Sequence, residues 1–282
     1  MILTFVGACL AWCLVNAKAV VRSDGSRIIL MKNPTWKTEL VGLWETIRSD
    51  PYIICLFPMF FSSNWFYTYQ FNGVNAARFD TRTAALNNVL YWSFQIVGAF
   101  IFGYSLDSVR FRRSTRARAA WLALFILTLA IWGGGYDFQR SYTRAQVTAD
   151  DYVPMDWNSP GYVGVMFLYI FYGCFDAAWQ TCVYWYIGSL TNNSRKIANF
   201  SGFYKGIQSA GAAIMWRIDD LKAPYMSEFA SCWGLLLGSL LFAAPIIYLY
   251  VKDHVDLEED LKFTDETVAD VVGQKPGYRS AV

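Results

Sequence analysis

Apolar residues run along this chain in long blocks separated by short polar segments. A helix needs about 20 mostly apolar residues to cross a hydrocarbon core of roughly 30 Å. Seven stretches reach or approach that length, at 1–21, 52–72, 84–106, 117–135, 161–190, 200–216 and 229–251. The fifth is long enough to tilt or to project beyond the bilayer. The sixth is short and rich in small residues. The pattern predicts an all-α, polytopic membrane helix bundle with seven transmembrane helices. Its parts are a transmembrane helix at 1–21, a cytosolic linker at 22–50, a six-helix membrane bundle at 51–252 and an acidic cytosolic tail at 253–282. The tail clusters Asp256, Glu258, Glu259 and Asp260 and is expected to be disordered. In the linker, Trp36, Leu40, Leu43, Trp44 and Ile47 recur at helical spacing behind Asn33-Pro34-Thr35, which suits a helix lying on the membrane face.

Composition points the same way. The 282 residues are 55% hydrophobic and 16% charged, against about 25% charged in an average soluble domain. Twelve Trp suit a chain with positions at both membrane interfaces. A net charge of +2 lacks the basic field of a nucleic-acid binder. A single His argues against a His-based zinc site or triad. Cys9, Cys13, Cys55, Cys174, Cys182 and Cys232 all fall in apolar stretches without metal spacing, so they read as small hydrophobes. No metal, cofactor or enzymatic activity is expected.

Basic residues set the orientation. With seven spans and the N-terminus outside, the inner segments carry sixteen Lys and Arg and the outer loops six. The positive-inside rule then favours N-out and C-in, with Arg110, Arg112, Arg113, Arg116 and Arg118 in one cytosolic turn. Ala17-Lys18-Ala19 mimics a signal-peptide cleavage site, but no basic residue precedes the first apolar run. Cleavage there would also put the Arg-rich turn outside.

A charge at bilayer depth costs at least about 2.5–3.5 kcal/mol on insertion scales, so polar residues inside spans mark either function or helix contacts. Asp176 is the one acid well inside a span, with Gln180 a turn away on the same face. It reads either as a proton, cation or substrate site, or as a structural bond to another helix. Asn64, Thr68 and Asn72 form a stripe in the second span, flanked by Trp65 and Tyr69. The stripe either lines a substrate path or joins helices. Gln95 and Gln208 are lone amides in the third and sixth spans. Lys205 either snorkels to the cytosolic interface or pairs with Asp176. Gly202 with Gly206, and Gly234 with Gly238, have the small-xxx-small spacing of helix packing ridges.

The third span ends in Gly103-Tyr104-Ser105-Leu106-Asp107-Ser108-Val109-Arg110-Phe111-Arg112-Arg113. A small residue, then an Asp, then an Arg pair at a short inner turn resembles the major facilitator loop signature. The usual glycine is absent and the spacing is one residue longer. One span, a linker and six spans look like the sixth helix and C-terminal half of such a transporter. Phe57 to Tyr67, with Tyr69-Gln70-Phe71-Asn72, is similar to the fungal branch of the Unc-93-like family within that superfamily. The resemblance implies a multi-pass transporter, with Asp107, Arg112 and Arg113 beside Gly103 as a cytosolic gate. It also implies a partial chain, since a full member has about twice the helices. The expected partners are the bilayer, a partner half or another membrane protein, and an unidentified small molecule or ion. A regulator or scaffold of another membrane protein is the alternative, and a seven-span receptor the third reading.

Overall fold

The computed structural model describes residues 2–13, 36–108, 110–191 and 194–253. Among them every regular element is helical, and the β features reduce to a bridge between Phe79 and Met155. Four helices are long and apolar enough to cross a membrane: α5 (Thr81–Asp107), α6 (Arg113–Gln139), α8 (Tyr162–Leu190) and α10 (Tyr225–Leu249). The chain is an all-α membrane helix bundle. Shorter helices α1 (Ile2–Trp12), α2 (Trp36–Ser49) and α7 (Arg144–Val147) accompany them. The remainder of the first apolar stretch, the linker up to Thr35 and the tail beyond Asp253 lie outside the described residues.

The second apolar stretch takes a form other than one continuous helix, and the sixth is only weakly apolar. The second becomes a 3-10 turn (Pro51–Leu56), α3 (Phe57–Ser62), α4 (Trp65–Thr68) and a π-helical segment (Tyr69–Ala76). Pro58 brings no N–H to the ladder, and Ser62, Ser63 and Asn64 offer the backbone competing partners where α3 stops. In the wide π turn, the Gly73 carbonyl accepts from the Tyr142 hydroxyl at 2.8 Å. Such turns recur at functional sites because they free backbone groups. The sixth stretch lies within α9 (Ser194–Asp220), which is long enough to span but much less apolar than the other four.

Glycines govern how closely the helices meet. A Cβ on Gly98 of α5 would sit 2.6 Å from the Cys174 carbonyl oxygen of α8. A Cβ on Gly173 of α8 would strike the Tyr91 carbonyl oxygen of α5. The two helices therefore cross backbone to backbone, each seating the other's glycine. Gly211 of α9 meets the Phe61 carbonyl of α3 in the same way. The ridge glycines singled out by spacing do none of this. Gly202, Gly206, Gly234 and Gly238 have no neighbour within 4 Å of an added Cβ, because their helix faces are open. Around the crossing, buried rings fill the core, with Trp132 and Phe175 centred 4.8 Å apart in an edge-on contact.

The loop from Arg140 to Gly161 is tied down. Asp80 N–H bonds the Met155 carbonyl at 3.2 Å, and Met155 N–H bonds the Arg78 carbonyl at 2.9 Å. Arg82 clasps Asp156, which also accepts from Thr83 Oγ1 at 3.2 Å. The Arg82 hydrogen bond holds the Asp156 carboxyl below its usual range.

Two predictions follow from these contacts. Gly173→Leu forces the crossing apart, at the overpacking cost of about 1–3 kcal/mol or more. A lowered thermal aggregation midpoint of the detergent-solubilised chain checks it, with Gly202→Leu leaving the midpoint nearly unchanged. Asp156 contributes most above the ordinary carboxylate range near about 3.9, and its contribution is lost as pH falls through its lower folded value. Hydrogen exchange across 152–159, corrected for intrinsic rate, should show protection at pH 6 that fades below pH 4.

Candidate functional site

The fully buried carboxylate of Asp176, mid-way along α8, is the centre of a polar network drawn from four segments. Its Oδ2 accepts from the Tyr67 hydroxyl of α4 at 2.6 Å and from the Gln95 amide of α5. Its Oδ1 accepts from Gln180 Nε2 at 2.9 Å, one turn along α8. The Tyr91 hydroxyl lies 3.0 Å from Gln70 Oε1 and 3.4 Å from Asp176 Oδ2, with one proton for the two acceptors. All the donors are neutral. They stabilise the anion by hydrogen bonding without cancelling its charge.

Cationic balance comes through an intermediary. Lys205 Nζ of α9 donates to Gln180 Oε1 at 3.2 Å and to Gln208 Oε1 at 2.8 Å. Among the described residues no carboxylate bonds Lys205 directly, so the Gln180 amide stands between ammonium and Asp176. The rings of Tyr204 and Tyr184 face Nζ, with centroids at 4.9 and 5.3 Å. Gln208 Nε2 lies 2.9 Å from both Ser63 Oγ and Asn64 Oδ1 and 3.1 Å from the Tyr204 hydroxyl. The network is thus continuous from Tyr91 to Ser63.

Six of the eight pathway residues picked from sequence meet here: Asn64, Gln95, Asp176, Gln180, Lys205 and Gln208. Lys205 makes no direct pair with Asp176; its head group is held by the Gln180 and Gln208 amides. It lies about 16 Å from the start of α9 at 1.5 Å per residue. The other two go elsewhere. Thr68 is buried, and its Oγ1 has no hydrogen-bond partner among the described residues. Asn72 donates to Asp219 at 2.7 Å, because the π turn carries it towards the far end of α9. Sequence reasoning missed Ser63, Tyr67, Gln70, Tyr91 and Tyr204. Tyr67 stands beside the Asn64–Thr68 stripe and was within reach of the same argument. Gln70, an amide inside the second apolar stretch, carries the same signal as Gln95 and Gln208; Ser63, Tyr91 and Tyr204 carry none that separates them from ordinary core residues.

A second cluster, also missed, closes the other end. Arg144 of α7 pairs with Asp219 at 2.5 Å and with Glu228 of α10 at 2.7 Å. Arg144 Nε donates to the Ala223 carbonyl at 2.8 Å, and the guanidinium lies 4.0 Å from the Tyr225 ring centroid. A pocket of about 630 Å³ adjoins it, lined by Tyr142, Thr143, Lys222 and Met226 among others. Removing the cation strands two acids, one of them with no exposed side-chain surface. Breaking a buried ion pair costs about 3–5 kcal/mol. Arg144→Ala should therefore lower the unfolding midpoint sharply, and Arg144→Ala with Glu228→Gln should recover part of the loss in the same melting assay.

The proposed gate residues do not clamp. Gly103 has no neighbour within 4 Å of an added Cβ, and Asp107 and Arg112 are exposed. Arg113 Nη1 is buried without a hydrogen-bond partner among the described residues. The turn is held otherwise. Arg116 donates to the Leu106 carbonyl, and Asp253 accepts from Ser114 N–H at 2.9 Å and Ser114 Oγ at 2.8 Å. A carboxylate from beyond α10 thus caps the start of α6, where the helix dipole favours it. Spacing suggested the acid before the Arg run; geometry uses the acid that follows the last helix.

Comparison with known proteins gives the chain relatives. It is 50% identical over 252 residues to an UNC93-like protein of Schizosaccharomyces pombe, covering 89% of this chain and 50% of that protein. It is 36% identical over 259 residues to UNC93-like protein 1 of Arabidopsis thaliana, covering 91% and 55%. It is 25% identical over 276 residues to the notoamide biosynthesis cluster protein O' of Aspergillus versicolor, covering 95% and 58%. The chain spans about half the length of the curated relatives it matches. No family model matches it, and no solved structure matches it. With its apolar helices, these likenesses support a multi-pass integral membrane protein.

Proposed function

From a sequence whose relatives support the Unc-93-like family, we propose that this chain is half of a non-enzymatic, major-facilitator-type transporter with Asp176 as its proton-carrying residue. One observation carries this reading. Asp176 is buried at mid-helix and surrounded by neutral donors, with its cation held one amide away. A structural acid in a membrane interior gains most from a direct cation, as Arg144 provides for Asp219. An acid left without one can take up and release a proton, because neither state leaves a bare opposite charge in contact. The broken α3–α4 segment and its π turn lie against this site and supply irregular backbone of the kind found beside transport sites. On this reading the N-terminus is outside, the Arg-rich turn is cytosolic, and a second helical half completes the path.

The test is proton exchange at Asp176, which needs no second half. In lipid nanodiscs, infrared difference spectra between low and high pH should show a protonated-carboxyl band in the wild-type chain that Asp176→Asn removes. Identical spectra from the two would overturn the reading for this chain.

A further inference from the structure

We propose that Lys205 is the recognition group for a small monocarboxylate, taken up together with one proton that lands on Asp176. The inference rests on the transporter reading above and names its substrate class.

Lys205 is set up as an anion contact. Its side chain is exposed along an open face of α9, yet its ammonium is fixed by two amide oxygens and two tyrosine rings. Neutral acceptors orient the charge without neutralising it, so it remains available to an incoming anion. Single charge sets the class of ligand. Asp176 and Lys205 sum to zero, and the other titratable groups around the pair, Tyr67 and Tyr91 at Asp176 and Tyr184 and Tyr204 at Lys205, are neutral phenols. A cation at this site would meet the Lys205 ammonium. A dianion would leave excess negative charge beside Asp176. A monoanion leaves one unit, which one proton on Asp176 removes. The aromatic walls favour a carboxylate bearing an apolar body.

The proton's destination also follows from geometry. Oδ2 has three donors in reach, Tyr67, Gln95 and Tyr91, whereas Oδ1 has Gln180 alone. Protonation at Oδ1 displaces one donor, and that donor is Gln180. Its amide is then free to turn its N–H groups towards a carboxylate on Lys205. Gln180 thus couples the two events: the bond it makes to Asp176 in the empty site becomes a bond to ligand in the filled one. The step moves one proton from water to Asp176 and one carboxylate from water to Lys205, with no bond to carbon changed.

Benzoate is a suitable probe. Binding of radiolabelled benzoate to the full chain in lipid nanodiscs should saturate. Acetate should compete, while inorganic phosphate and tetraethylammonium should not. Lys205→Gln should weaken binding at least about tenfold, and Lys205→Arg should hold it within about threefold. In weakly buffered medium, benzoate should draw in one proton per site in wild type and none in Asp176→Asn. Absent binding, binding indifferent to Lys205→Gln, or stronger competition by phosphate would overturn the inference. If the titrating carboxyl band still depends on Asp176 in that case, the transporter reading survives alone. Benzoate binding through Lys205 without proton uptake would overturn the coupling and, with it, the role assigned to Asp176.

Discussion

The crossing of α5 over α8 is the constraint on which the rest depends. Only glycine lets two helix backbones approach until a carbonyl occupies the place of a Cβ, and here the exchange is mutual between Gly98 and Gly173. Gln95 lies three residues before Gly98, and Asp176 three residues after Gly173. Each polar residue therefore shares a helix face with the glycine on its own helix. Seating the glycines aligns the polar residues. A one-residue slip would move Gln95 about 1.5 Å along the axis and about 100° around it, away from the carboxylate. The same logic holds between α3 and α9, where Gly211 against Phe61 places Gln208 beside Ser63 and Asn64.

Two ionic clusters in one small bundle follow opposite rules. At the far end, Arg144 touches both Asp219 and Glu228 directly, and it joins α7, α9 and α10 as a fixed clasp. In the middle, an amide separates Lys205 from Asp176. Direct pairs resist change because separating them strands two charges in a poor solvent. An amide between two charges has both a donor and an acceptor, so it satisfies each and can part from either. Fixed geometry at one end with an adjustable contact at mid-depth is a sensible division within a single helix, α9, that serves both.

The sequence made part of this legible. Asp176, Gln180, Gln95, Gln208, Lys205 and Asn64 stand out because each is polar where lipid would reject it, but the same cost also flagged Thr68 and Asn72, which only the fold sends elsewhere. The all-α membrane bundle is legible for the same reason. Most tyrosines escape this argument: among 18 of them, Tyr67 stands beside the polar stripe, and nothing in the placement of Tyr91, whose hydroxyl also reaches the carboxylate, separates it from those that fill the core. Packing glycines escape it too. Spacing along one helix picked Gly202 with Gly206 and Gly234 with Gly238, but close approach is a property of two helices. Gly98 carries it with no small residue four positions away, and Gly173 with Ala177 rather than a second glycine. The Asp107–Arg112 motif failed similarly, since the partner that caps α6 is Asp253, nearly the whole bundle away in sequence.

α9 presents an open face unlike those of the four clear spans. Gly202, Lys205, Gly206, Ser209, Ala210 and Ala213 are exposed on a helix that is less apolar than the four clear spans. Hydrocarbon would not stabilise that face, whereas α5 exposes Trp92, Ile96, Phe100 and Tyr104, a stripe suited to lipid. The two helices thus differ in the neighbour they are built for. Small residues on α9 leave room beside the Lys205 ammonium, either for solvent and a solute or for close-packed protein. On the proposed reading both are present, with a second half across a wetted gap, and Gly202 and Gly206 line that gap. Their spacing then reflects room for a ligand beside Lys205.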